Sequence, residues 1–184
     1  MTTWDQYLDM NDSSLRELNP EKIDLFIQHL RKVRNAKGKV WVLGNGGSAS
    51  LASHAVADFG KTVKQGGATP IFTIASSEFV SMQTAYANDA SFEEGFSSML
   101  TDFGDTQDAV WIVSVSGKSP NLLSAVKAAR EKGMSILSTV GKRGEELARE
   151  SDVGILIDSN DYQVVENAHL VLMHWFTKAL SVDN

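Results

Sequence analysis

The chain has 184 residues, a net charge of −6 at neutral pH, 42% hydrophobic and 22% charged residues, and no cysteine. This length can bury a proper core in one domain, and the balance sits near the globular average, which excludes fibrous and disordered classes. The acidic balance argues against a nucleic-acid partner, which selects a basic stripe. Without cysteine there is neither a disulfide framework nor a thiolate metal centre, so any metal falls to His, Asp, Glu or Gln.

The opening MTTWDQYLDM lacks a basic run followed by an apolar one, so no secretion signal is expected. No apolar stretch approaches the roughly 20 residues of a membrane span. The expectation is a soluble, cytoplasmic protein with neither nucleic acid nor membrane as partner.

In chain order, helical spacing of apolar residues predicts helices over about 3–17 and 21–36, with Asn19-Pro20 punctuating the gap. Short apolar runs follow at Lys39–Leu43, Pro70–Ile74, Ala109–Val113, Met134–Leu137 and Val153–Ile157. Each is continuous rather than alternating, as strands buried on both faces of a parallel sheet require. Helical patterns lie between them at about 48–60, 78–86, 92–103, 120–132 and 144–149, and a long final helix covers about 161–181. Strands alternating with helices imply right-handed crossovers and a three-layer, doubly wound α/β fold of five parallel strands. No repeat, low-complexity tract or long linker divides the chain, so residues 1–184 read as one domain.

Ligands of open parallel sheets bind beyond the carboxyl ends of the strands, where two loops stand out. Gly44-Asn45-Gly46-Gly47-Ser48-Ala49-Ser50 follows the first strand, and Ser114-Val115-Ser116-Gly117-Lys118-Ser119-Pro120 follows the third. Gly44, Gly46 and Ala49 formally satisfy a dinucleotide fingerprint, but no acidic residue stands at the end of the next strand to hold a ribose. Gly117-Lys118-Ser119 lacks the upstream glycine of a nucleotide-triphosphate loop. A serine-rich loop opening a helix suits a phosphate monoester, since hydroxyls, backbone N–H groups and the helix N-terminus all favour an anion. The same geometry serves a plain turn with Ser119 as N-cap and Pro120 at the first helical position.

GNGGSA at 44–49 followed by S-x-SGKS at 114–119, with Asn88-Asp89, Ala129 to Met134, Gly141 to Gly144 and the segment from His169 to His174, resembles the sugar isomerase (SIS) domain family over residues from about 36 to 181. More closely it resembles the phosphoheptose isomerases, which interconvert sedoheptulose 7-phosphate and heptose 7-phosphate. The resemblance implies a flavodoxin-like sheet, a homotetramer with sites at subunit interfaces, and an oligomerising role for the helical extension at 1–36.

Aldose–ketose isomerisation through an enediol needs a base for the carbon proton, an acid for the oxygens and a means of stabilising negative charge. His54 and Asp58 are four apart on one helix face, and Glu166 and His174 lie on the final helix. His and carboxylate ligands suit a divalent metal, zinc best by ligand type. The resemblance implies one such metal per subunit at His54, Asp58, Glu166 and His174, with Asp58 as base and His174 as acid. It also implies substrate contacts from Asn45, Gly46, Gly47, Ser48, Asn88, Asp89 and Glu166, and phosphate contacts from Ser114, Ser116 and Ser119. The chain departs from the family pattern at Asp58 (Glu in the family), Glu166 (Gln) and Val115 (Thr).

Glu166 and His174 stand about 12 Å apart along a straight helix, so a shared metal requires reach, a bend or another subunit. His169, about 140° around the helix from His174, reads as structural, and Trp175 and Phe176 as core or interface. The apolar final helix predicts packing against a second copy. The alternatives are a non-catalytic module that binds a phosphosugar or a partner, resembling the replication-initiation factor branch, and an isomerase of a different phosphosugar.

Overall fold

The computed structural model describes residues 2–182. Helices α1 (Trp4–Arg16) and α2 (Pro20–Asn35) open the chain. A capping box between Thr3 and Gln6 starts α1, and the Asn19 side chain accepts from the Glu21 and Lys22 N–H groups to start α2. The strands are β1 (Lys39–Leu43), β2 (Phe72–Ala75), β3 (Ala109–Ser114), β4 (Ser135–Gly141) and β5 (Val153–Ile157). Between them run α3 (Gly47–Ala57), α4 (Val63–Gln65), α5 (Val80–Asp89), α6 (Gly95–Phe103), α7 (Pro120–Glu131) and α8 (Glu145–Glu150), and α9 (Tyr162–Leu180) ends the fold.

All five strands are parallel, in the order β2-β1-β3-β4-β5. Each strand divides its residues between two cores. Val40, Val42, Trp111 and Val113 meet α2, α3 and α9, whereas Trp41, Leu43, Val110 and Ile112 meet α6, α7 and α8. The central strand β3 is buried throughout, while the edge strand β5 alternates. Continuous apolar runs are what two covered faces select. No helix among the described residues is long and apolar enough to cross a membrane.

Among the boundaries that depart from expectation, three have a visible cause. β2 starts at Phe72 rather than Pro70: proline has no N–H to give a ladder, and Ile71 N–H donates to the Phe59 carbonyl instead. β4 continues to Gly141 because Ser138 and Thr139 are fully buried within it, Thr139 accepting from Trp111 Nε1 at 3.1 Å. The helix expected to end near 60 instead passes at Asp58–Thr62 into a π-helical turn and on through α4.

Candidate functional site

The order of the sheet reverses between β1 and β3, which are neighbours. The loops after these strands therefore flank the switch point, where doubly wound sheets take their ligands. A reciprocal amide pair ties them together: Asn45 Nδ2 donates to Asn121 Oδ1 at 3.0 Å, and Asn121 Nδ2 donates to Asn45 Oδ1 at 2.9 Å. Asn121 is buried in the first turn of α7.

In the first loop Gly46 has φ +56°, a left-handed conformation that a side chain resists. A Cβ on Gly47 would stand 2.6 Å from Glu166 Oε1, so the Glu166 carboxylate on α9 lies directly against the start of α3. In the second loop Ser114 Oγ accepts from Gly117 N–H at 3.0 Å and Ser116 Oγ from Lys118 N–H at 3.3 Å. Ser119 takes the N-cap position of α7, with Pro120 next, but its side chain makes no capping bond.

Two cavities meet here. One, of about 170 Å³, is lined by Ser114, Ser116, Ser119, Asn45 and Tyr162. The other, of about 280 Å³, lies between α3 and α9 and reaches His54. Ser48 and Glu166 line both.

Beyond His54 stands a close trio. Asp58 Oδ2 lies 3.8 Å from His54 Nε2 and 3.8 Å from His174 Nε2. The imidazole rings are 5.2 Å apart and nearly perpendicular. The Asp58 side chain is 14% exposed while the two histidines are about half exposed, so the carboxylate is recessed between them. Asp58 opens the π-helical turn, and π turns recur at functional sites. Phe59, the next residue, is fully buried with its ring stacked over Trp111 at 6.0 Å, which fixes the turn to the core.

One ligand atom from each of His54, Asp58 and His174 lies within 4.8 Å of the others. Two imidazoles and a carboxylate form a donor set that zinc takes, and three ligands leave a coordination position open.

Glu166 does not join this trio. It precedes His174 by eight residues on the unbroken α9, a rise of about 12 Å. Its carboxylate lies instead against Gly47, at the junction of the cavities. Asn88 and Asp89 are exposed at the end of α5, where Asn88 Nδ2 donates to Asp89 Oδ1 at 2.9 Å, and neither lines either cavity.

His169 is 1% exposed, and neither ring nitrogen has a partner of hydrogen-bond geometry. Burial pushes its pKa down to about 4, opposed in part by the nearby Thr139 backbone. Sequence reasoning missed Asn121 and Tyr162 as site residues. Tyr162 had a signal, since it opens the helix that follows a strand's carboxyl end; the pairing of Asn121 with Asn45 had none.

The SIS domain family matches residues 6–141. A phosphoheptose isomerase of Helicobacter pylori (strain P12) is 32% identical over 164 residues, 88% of this chain and 81% of that protein. The structure of a phosphoheptose isomerase from Neisseria gonorrhoeae superposes with a TM-score of 0.83 at 25% identity, covering 94% of this chain and 91% of that one. A phosphoheptose isomerase structure from Francisella tularensis shares the fold, with a TM-score of 0.86 at 23% identity and coverage of 95% and 92%. The chain belongs to the phosphoheptose isomerase family and is built on its SIS domain.

Proposed function

We propose that the chain is an aldose–ketose isomerase that interconverts sedoheptulose 7-phosphate and D-glycero-D-manno-heptose 7-phosphate through an enediol. The carrying observation is the pair of neighbouring cavities that share Ser48 and Glu166, one at the serine loop and one reaching His54 of the trio. A phosphate in the first would receive hydroxyl and backbone N–H donors and the N-terminal field of α7. The sugar chain would then extend past Ser48 and Glu166, whose carboxylate accepts from sugar hydroxyls, toward His54.

Asp58 takes the proton from the carbon next to the carbonyl, and His174 gives a proton to the carbonyl oxygen. In the resulting enediol Asp58 returns the proton to the adjacent carbon. His174, now deprotonated, takes the proton from the other hydroxyl, which becomes the new carbonyl, and both groups are restored. A divalent metal held by His54, Asp58 and His174 would polarise the carbonyl as a Lewis acid. The assembly is a cytoplasmic homotetramer, supported by the apolar outward face of α9, where Leu170, Val171 and Trp175 are exposed.

The test is turnover of sedoheptulose 7-phosphate in deuterated water, followed by NMR. Deuterium at C2 of the product is expected, with kcat lowered about 10²–10⁴-fold in Asp58→Asn and in His174→Gln. Turnover that survives either substitution at the wild-type rate sinks the assigned roles.

A further inference from the structure

A third cavity, of about 510 Å³, lies outside the proposed catalytic site, in a groove between α7 and the segment that runs from Lys142 through α8. Its two walls carry the same helical spacing. Leu123, Val126, Lys127 and Arg130 come from α7, and Arg143, Glu146, Leu147 and Glu150 come from the opposite wall. One end is closed where Gly117 packs on Gly144, so tightly that a Cβ on Gly117 would stand 2.4 Å from Gly144 Cα. At the other end Arg130 Nη2 donates to the Glu150 carbonyl at 2.8 Å.

The floor is apolar: Val126 and Leu147 are buried, and Leu123 presents a 44% exposed side chain. The rim is charged. Lys118, Lys127 and Arg143 converge on it, and among the described residues none of the three side chains makes an ion pair or a hydrogen bond. A chain of net charge −6 thus places three cations without ion-pair partners around one half-open, partly apolar groove that Glu146 and Glu150 also line.

We propose that this groove is a second ligand site, for a nucleoside diphosphate. Its volume falls in the roughly 300–1,000 Å³ range of small-molecule sites, and its make-up of apolar floor and few convergent polar groups is theirs too. The diphosphate meets Lys118, Lys127 and Arg143, of which Arg143 offers the planar fork that pairs with phosphate oxygens. The base lies on Leu123, Val126 and Leu147. Glu146 and Glu150 accept from ribose hydroxyls, as carboxylates do in dinucleotide sites. Simple electrostatic attraction would hold any polyanion; the apolar floor and the two carboxylates select one that carries a nucleoside.

The assignment does not depend on the isomerase chemistry, and the test keeps the two apart. The full chain is titrated calorimetrically with ADP, GDP, CDP and UDP, and separately with pyrophosphate. At least one nucleotide should bind in the micromolar range, and tighter than pyrophosphate. Its affinity should fall roughly tenfold or more in the double variant Lys127→Ala, Arg143→Ala, with the circular dichroism melt unchanged. The variant Ser116→Ala, Ser119→Ala should bind the nucleotide as the wild type does. Three outcomes overturn the proposal: no nucleotide binding, pyrophosphate binding as tightly as the best nucleotide, or loss of nucleotide binding in the serine variant, which would place the ligand in the phosphate loop instead. Failure to turn over sedoheptulose 7-phosphate leaves all of these readings intact.

Discussion

At the scale of single residues, the closest tolerances lie where glycine and carboxylate meet. Gly47→Ala sets a methyl 2.6 Å from Glu166 Oε1, but that oxygen is the far end of a flexible side chain that can swing away. The substitution should leave the melting temperature nearly unchanged while KM for the phosphosugar rises, because Glu166 moves within the space shared by the two cavities. In steady-state kinetics, the effect of Gly47→Ala should largely vanish when Glu166 is already alanine, a non-additivity expected of residues in contact.

Asp108 is the contrasting case, a residue that stabilises the fold away from the site. It is 1% exposed and accepts from Lys39 N–H, Trp41 Nε1 and Asp105 N–H, with Lys39 Nζ 2.9 Å away. Asp108→Ala strands buried donors and a half-buried cation, so urea denaturation should show a loss of about 3 kcal/mol or more. A loss below about 1 kcal/mol would mean that water replaces the carboxylate without cost.

The elements show why some of the site could be read from sequence and some could not. β1 and β5 carry the bounds expected from their apolar runs, because both faces of the sheet are covered and hydrophobicity alone marks them. The pairing of His54 with Asp58 followed from helical spacing, and the trio holds both beside His174, a grouping that only the family resemblance implied. The π-helical turn after Asp58 was illegible, since it depends on Phe59 seeking Trp111 and on Ile71 donating to the Phe59 carbonyl, contacts far apart in sequence. The place of Glu166 was illegible for a related reason. Sequence spacing raised the eight-residue separation on α9, and only the structure shows what the carboxylate faces instead.

The link between the two loops is likewise tertiary, and it makes its own prediction. Asn121→Leu removes both amide bonds with Asn45 and should cost about 1–3 kcal/mol. KM should rise as the glycine loop loses its tether to α7, with kcat less affected. An unchanged KM would show that β1 alone holds the loop.

For the whole molecule, one buried group sets an acid limit. The His169 pKa falls from 6.5 to about 4 in the folded chain, so the fold favours neutral imidazole and the unfolded chain binds the proton first. The stability this withholds from protonation is fully present above pH 6.5. It is lost as the pH falls from 6.5 toward 4 and amounts to roughly 3 kcal/mol across that window, at about 1.4 kcal/mol per pH unit. Urea midpoints measured across this range should fall in the wild type and fall less steeply in His169→Leu. Parallel slopes in the two proteins would assign the acid sensitivity to other groups.

The four tryptophans divide by environment in a way that makes the protein its own optical probe. Trp41 and Trp111 are buried, whereas Trp4 is 69% and Trp175 51% exposed. Trp175 directly follows His174, so with Trp4 replaced by phenylalanine the only water-facing indole sits next to the trio. Red-edge emission from that variant would then report the divalent metal or phosphosugar proposed to bind at His174, while the blue emission of the two buried rings serves as an internal reference for the intact fold.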